Sequence, residues 1–511
     1  MTRVIGVRGD GTPWLHHVGR TSEVTLDELN QIEQGGHPRW LIPSAAASYP
    51  VLRRGGVRLD RCYDLAHAES VISAFEGTPV AGPASAPPTS LTLFTEDDDA
   101  DAGAVAATQY ADQQRRLAAT GHADRLGLLI ASDSVGALLA VEMTEAGIPW
   151  DAAIHDRLLT EALGVQTLPG ARPSRLQELA DRIIESFGRP VNPDSPQDVL
   201  AAFARDDIVL QSTRKWHLAG VDHPAVAPLL EYKELSRLHT ANGWAWLREW
   251  VRDGRFRPEY LPAGVVTGRW ATRGGGALQI PRRLRSAVVA DPGKTLVVAD
   301  AAQLEPRILA ALSRDPGMMR AAGAEDMYAA LATEAFDGRR DQAKVGLLGA
   351  MYGQVGGGAA RPLQVLRDRY PRALQLLEDA ARTGERGGVV RTRLGRTCPP
   401  GSERDPTPAQ ERARGRFTRN FVVQGTASEW AGSLLGILRQ RLHRAYGDTD
   451  AARIVFYQHD EVMVHCDAAL ADDVIAHVEA AALAATRLLF GETEVVFGLD
   501  VRAARTYAEA H

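Results

Sequence analysis

The sequence predicts an α+β protein in two parts. Three observations carry that expectation. The 511 residues exceed what one ordinary core organises. From about Asp124 onward, helical periodicity dominates. Short β-rich runs, KTLVVAD at 294–300 and the pair RIVFYQ and VMVHC between 453 and 466, then interrupt the helices.

The bulk numbers narrow the class. Hydrophobic residues make up 45% and charged residues 24%, as in a soluble globular protein. No apolar run is expected to reach membrane-spanning length, and MTRVIGVRGDG lacks a secretory leader. Cys62, Cys398 and Cys466 form neither a CxxC pair nor a disulfide framework, so a reducing cytoplasm is expected. The net charge of −6 makes no global case for a nucleic-acid partner, so such a case must be local. The positive charge is nearly all arginine; lysine stands at Lys215, Lys233, Lys294 and Lys344.

In chain order, GTPVAGPASAPPTS (77–90) resists regular structure and TEDDDADAG (95–103) is a solvated acidic run. LGLLIASDSVGALLAVEMTEAGI (126–148) predicts one long helix ending near Gly147. SRLQELADRIIESFG (174–188) predicts another, and SPQDVLAAFAR (195–205) a third, capped by Ser195 with Pro196 at its first position. LLEYKELSRLHTANGWAWLREWV (229–251) reads as helical throughout. The strand 294–300 runs into a helix, EPRILAALS (305–313). RTRLGRTCPPGSERDPTPAQERARGRFTR (391–419), with its four prolines, reads as an arginine-rich loop. No internal repeat is visible.

Three segments could carry chemistry. YQHDEVMVH (457–465) predicts a hairpin with Asp460 and Glu461 at its tip, where two carboxylates repel unless a cation lies between them. Asp300 ends a strand before a helix, and with Asp460 it would make a site for two Mg²⁺, which take oxygen ligands and retain substrate phosphates. In RRDQAKVGLLGAMYG (339–353), Arg340, Lys344, Leu348 and Tyr352 recur every fourth residue on one helical face. Two cations there suit a triphosphate, and the apolar pair beyond suits a base. The plainer readings are an acidic turn and an amphipathic helix.

Taken together, these segments resemble the motifs of the family A DNA polymerases, the bacterial DNA polymerase I group. VVADAAQLEPRILAALS (297–313) resembles motif A, 339–353 motif B and 457–465 motif C. TGRWATRGGGALQIP (267–281), RFTRNFVVQGTASEWAG (416–432) and the terminal YAEAH agree in order. The resemblance implies a degenerate, RNase H-like 3′–5′ exonuclease domain over 1–124. It implies a right-hand polymerase domain over 125–511, with thumb about 125–265, palm about 266–316 and 405–511, and fingers about 317–404.

By motif match, Asp300, Asp460 and the Ala301 carbonyl would hold two Mg²⁺, or Mn²⁺ in their place, with Glu461 supporting them catalytically. Arg340, Lys344, Leu348, Tyr352, Gln303, Glu305 and His459 would bind the incoming dNTP or the primer end, with Glu305 the gate against a 2′-hydroxyl. Arg269, Arg416, Asn420 and Gln424 would contact the DNA minor groove, where acceptors are nearly sequence-independent. The resemblance implies primer–template DNA and dNTPs as partners, no membrane, and a cytoplasmic, nucleoid-associated monomer.

Several positions depart from the family's pattern. Ala301 and Ala302 replace a tyrosine and a serine, Leu348 an aromatic, and the asparagine before Ile280-Pro281 is missing. A slower or less discriminating enzyme is the expectation. GGVRLDRCYDLAHAESVI (55–72) resembles the stretch after the second exonuclease motif, but no DxE follows an N-terminal strand. Ser48 falls where an Asp belongs, and Gln114 ends a YxxxD-like segment. Proofreading is therefore expected to be lost, and no 5′-nuclease domain is expected. The alternatives are a DNA-binding scaffold with a non-catalytic polymerase fold, or a polymerase with residual 3′–5′ exonuclease.

Overall fold

The computed structural model describes residues 3–78, 102–165, 171–274, 276, 280–353, 360–401 and 405–510. Most of 77–90 and 95–103 lies outside these residues, as do parts of 267–281 and 391–419. Two compact units emerge. The first holds 1–146, 259–273 and 293–503; the second holds 147–258, 274–292 and 504–511.

The first unit opens with β1 (Arg3–Val7), β2 (Pro13–His17), β3 (Arg20–Glu23), α1 (Leu26–Gly36), β4 (Arg39–Ile42), α2 (Ala45–Arg54) and β5 (Arg61–Asp64). The five strands form one sheet in the order β3-β2-β1-β4-β5. Its first three strands are antiparallel, and β4 and β5 run parallel to β1. Helices α3 (Leu65–Glu76), α4 (Ala102–Ala119) and α5 (Ala123–Ala146) follow.

Helix α5 is apolar and long enough to cross a membrane by length and composition, which corrects the expectation that no run approaches that length. Its apolar side chains are spent on the core: Leu126, Leu129, Ile130, Leu138, Leu139 and Met143 are buried. It contacts both the N-terminal sheet at β5 and the long helix over Pro408–Tyr446.

The second unit contains β6 (Ile148–Pro149), α6 (Ala152–Leu163), α7 (Ser174–Phe187), α8 (Pro196–Arg205), α9 (Lys215–Leu218), α10 (Val226–Asn242), α11 (Trp244–Trp250), β7 (Val251–Arg252) and β8 (Arg255–Phe256). Ser195 caps α8 by accepting the Asp198 N–H, as expected. The single helix expected over 229–251 is two. Gly243 adopts an extended conformation between α10 and α11, and Val251 already belongs to a strand. An aromatic cluster of Trp150, His155, Trp246 and Phe256 fills the space beside this break.

The first unit resumes with β9 (Glu259–Leu261), β10 (Ala271–Arg273), β11 (Lys294–Ala301), α12 (Leu304–Ser313), α13 (Pro316–Ala322), α14 (Met327–Ala335), α15 (Arg340–Tyr352), α16 (Ala360–Arg369), α17 (Pro371–Glu385), α18 (Pro408–Tyr446), β12 (Ala452–Gln458), β13 (Glu461–Asp467), α19 (Ala471–Phe490) and β14 (Leu499–Ala504). The second sheet runs β12-β13-β11-β14. The second half of the loop expected over 391–419 is helical. Thr407 makes a capping box with Gln410, and Pro408 sits at the first helical position, where its missing N–H costs nothing.

Candidate active site

The hairpin of β12 and β13 lies against β11 in antiparallel register, Lys294 opposite Asp467 through to Asp300 opposite Glu461. The Ala301 N–H donates to the Asp460 carbonyl at 3.0 Å. Residues far apart in sequence, Ala301 and Asp460, are thereby fixed side by side. The hairpin turn is His459-Asp460, with His459 at φ 57°. Glu461 is not at the tip as expected. It is the first residue of β13, buried and paired with both Gln458 and Asp300. His459 takes the other turn position, so the two carboxylates fall one at the turn and one in the sheet.

The turn has a stiff backing. Tyr457 donates through its hydroxyl to the His459 carbonyl. Trp270 meets the Tyr457 ring edge-on at 5.2 Å. Between β9 and β10, the Gly268 N–H donates to the Val265 carbonyl at 2.8 Å, and Gly268 takes φ +80°, which presents Arg269. Burial pushes the Asp460 carboxyl above its ordinary value, Arg269 pulls it back and Glu305 adds to the rise. Burial, with Arg269, pushes the His459 imidazole down, so it is neutral near pH 7.

Glu305, in the first turn of α12, is held on both oxygens. Arg269 Nη2 lies 2.5 Å from Oε1, and the Tyr352 hydroxyl donates to Oε2 at 2.9 Å. Burial and this carboxylate push the Tyr352 phenol up to about 12. Asn420, on α18, has a buried side-chain nitrogen with no hydrogen-bond partner among the described residues. Arg416, Asn420 and Gln424 share one face of α18 at four-residue spacing. Gly353, at φ +71°, makes room for Arg416, whose Cγ would lie 2.7 Å from an added Cβ. The stripe on α15 is as expected: Arg340, Lys344 and Tyr352 are exposed and Leu348 is half-buried.

Sequence reasoning missed two residues. Asp326 caps α14 and accepts from Gln303 Nε2 at 2.9 Å and from Arg340 Nε at 2.7 Å. Arg307, almost fully buried, donates to five carbonyls: Ala302, Ala322, Ala324, Glu325 and Val496. It ties the turn after Asp300 to the segment before α14. The available signals were an Asp directly before a helical apolar pattern, and a lone cation inside the otherwise apolar EPRILAALS.

Comparison with known proteins fits this arrangement. The model for "DNA polymerase family A" matches residues 165–509. DNA polymerase I of Chloroflexus aurantiacus is 26% identical, over 65% of this chain and 41% of its own length. DNA polymerase I of Pseudomonas aeruginosa is 27% identical, over 58% of this chain and 34% of its own. The thermostable DNA polymerase I of Thermus aquaticus is 28% identical, over 47% of this chain and 32% of its own. The chain thus spans well under half the length of these relatives. A solved structure, the POL domain of Pol1 from M. smegmatis in complex with DNA primer-template and dNTP, superposes with a TM-score of 0.76 at 20% identity, covering 100% of this chain and 96% of that one. The fold is accordingly a mixed, RNase H-like N-terminal sheet joined to a largely helical palm, fingers and thumb. With two thirds of its length matched by one family model, the chain belongs to DNA polymerase family A.

Proposed function

We propose that the chain is a DNA-directed DNA polymerase that extends a primer 3′ end with deoxynucleotides copied from a template, in repair or gap filling. The observation that carries the reading is the register that fixes Asp300, Asp460 and Glu461 at one end of the β11–β13 sheet. A binding scaffold has no use for acidic residues set on neighbouring strand ends, Asp300 opposite Glu461 and next to Asp460.

The residues suit Mg²⁺. Among the described residues no group of three or more His, Cys, Asp or Glu is placed to hold a metal ion. Two carboxylates and a backbone carbonyl match an ion that keeps water and substrate phosphates in its shell. Burial raises the Asp460 carboxyl, with Glu305 adding to the rise, and a bound cation would favour its charged form. Asp300, Asp460 and the Ala301 carbonyl would hold the ions, with Glu461 behind them. When bound, two ions would supply charge neutralisation for the attacking hydroxyl and the leaving pyrophosphate.

The remaining chemistry belongs to the chain. Arg340 as a fork and Lys344 as a point charge grip phosphates. Leu348 and Tyr352 receive the base. Glu305, braced by Arg269 and Tyr352, stands where a sugar C2′ would lie, and Gln303 and His459 flank it. Arg416, Asn420 and Gln424 offer donors to minor-groove acceptors. The relative of known structure carries primer-template and dNTP in this fold, which supports both partners. We place the thumb, palm and fingers at about 125–265, 266–316 with 405–511, and 317–404.

We further propose that proofreading is lost. Ser48 is buried on α2 and cannot ligate a metal as a carboxylate does. The nearby Asp64 is committed as a cap, accepting from the N–H groups of Ala45 and His67.

Primer extension with Mg²⁺ tests the reading. Asp300→Ala is expected to cut incorporation roughly a thousandfold or more while DNA binding persists. Extension that survives the substitution overturns it. Shortening of a primer without dNTPs overturns the loss of proofreading.

A further inference from the structure

We infer that Asp326 is a positioning residue that sets the orientation of Arg340 for the incoming triphosphate, an inference that rests on the polymerase reading. One carboxylate joins three elements here. Its Oδ1 accepts from Ala329 N at 3.1 Å, as the cap of α14, and from Gln303 Nε2 at 2.9 Å. Its Oδ2 receives Arg340 Nε, from the first residue of α15, at 2.7 Å. Gln303 is itself pinned. It takes φ 57° in the turn after Asp300, and its side-chain oxygen accepts the Tyr328 N–H at 3.3 Å. The Tyr328 ring lies against the Arg340 guanidinium, 5.6 Å from centroid to carbon.

Arg340 is therefore held at one edge by Asp326 and on one face by Tyr328. The bond is made through Nε, which leaves the Nη1–Nη2 edge as the fork for a phosphate. The same hydrogen bonds hold the Asp326 carboxyl at about 2 in spite of its partial burial, so it is ionised at neutral pH.

A carboxylate beside an anion site also repels the anion, and the two effects oppose each other. The side chains of Asp326 and Arg340 are 38% and 46% exposed, so water and salt screen the repulsion. Orientation of the fork depends on contact and is not screened. Positioning therefore wins. Asp326 also links the strand end that bears Asp300 to the helix that bears the phosphate-binding cations, so the two halves of the site share one anchor.

Asp326→Asn tests this, because asparagine remains a good cap and keeps an acceptor for Gln303 but cannot hold the arginine as a charged pair. The KM for dNTP is expected to rise about tenfold with kcat within about threefold. In an Arg340→Gln background the same substitution is expected to change KM less than about twofold, since the two residues act as one unit. An unchanged or lowered KM overturns the inference, and so does an equal effect in the Arg340→Gln background. Should the unaltered protein incorporate no nucleotide, the polymerase reading fails, and equilibrium titration with dATP decides the positioning separately. A Kd about tenfold weaker in Asp326→Asn upholds it, and an equal Kd overturns it.

Discussion

In the proposed reading sugar selection turns on Glu305, which Arg269 and Tyr352 hold by both oxygens. Glu305→Ala is expected to raise ribonucleotide incorporation relative to deoxynucleotide by about tenfold or more, read from competing primer extensions. A second residue, Glu429, titrates with the fold. It is buried on α18, accepts the Leu394 N–H at 3.0 Å and the Thr392 hydroxyl, and sits near Arg396 and Asp133. Burial dominates and raises its carboxyl to about 7. A folded value above the unfolded one means the folded state holds the proton more tightly. Its favourable contribution is thus full below the ordinary carboxylate range and is lost as pH rises to about 7. The loss is on the order of 3 kcal/mol. Glu429→Gln should flatten this part of the melting-temperature profile between pH 5 and 8. Residue placement was legible where type and spacing carry it, as for Asp300, Asp460 and the α15 stripe. Asp326 and Arg307 were not, because their partners are backbone and side-chain groups that only the folded chain brings near.

At the scale of elements, the strands and most helices followed from periodicity, and the failures have local causes. The hydrophobic pattern of 229–251 continues across Gly243, but the backbone does not. A Cβ added there would lie 2.2 Å from the His239 carbonyl oxygen. Gly243→Ala must either displace that carbonyl from the end of α10 or reopen the angle to α11, where Trp244 and Trp246 are buried. The expected cost is about 1–3 kcal/mol, seen as a lower urea midpoint at unchanged slope. In 391–419, prolines suggested a loop, yet Pro408 is compatible with a first helical turn, and the Thr407–Gln410 box starts α18 there. The hairpin was legible, but its tip was not, because alternation alone leaves the turn register open by one residue. That residue decides whether Glu461 faces water or the sheet.

For the whole molecule, five motifs in order made the family legible, whereas the role of the N-terminal part was hidden. The resemblance implies a degenerate domain over 1–124, and the structure joins this part to α18 through buried charge. Arg439 donates to both oxygens of Glu142, at 2.8 and 2.6 Å, and to the carbonyls of Leu59 and Asp60. Tyr49 donates to Glu142 at 2.7 Å, and Arg53 reaches Glu145 and Asp448. Burial alone would raise the Glu142 carboxyl, but Arg439 and Arg58 outweigh it and hold it at about 2. Its contribution is therefore present above the ordinary carboxylate range and lost as pH falls toward 2. Breaking such a pair leaves an uncompensated buried guanidinium, which costs about 3–5 kcal/mol. Glu142→Gln should therefore lower the melting temperature of the N-terminal sheet and of α18 together, although Glu142 itself lies on α5. Hydrogen exchange on the two segments measures this. Equal loss of protection in β4–β5 and in α18 around Arg439 is expected. Loss confined to the N-terminal strands would show that the sheet domain unfolds independently and that the ion network does not couple it to the helix that carries Asn420 and Gln424.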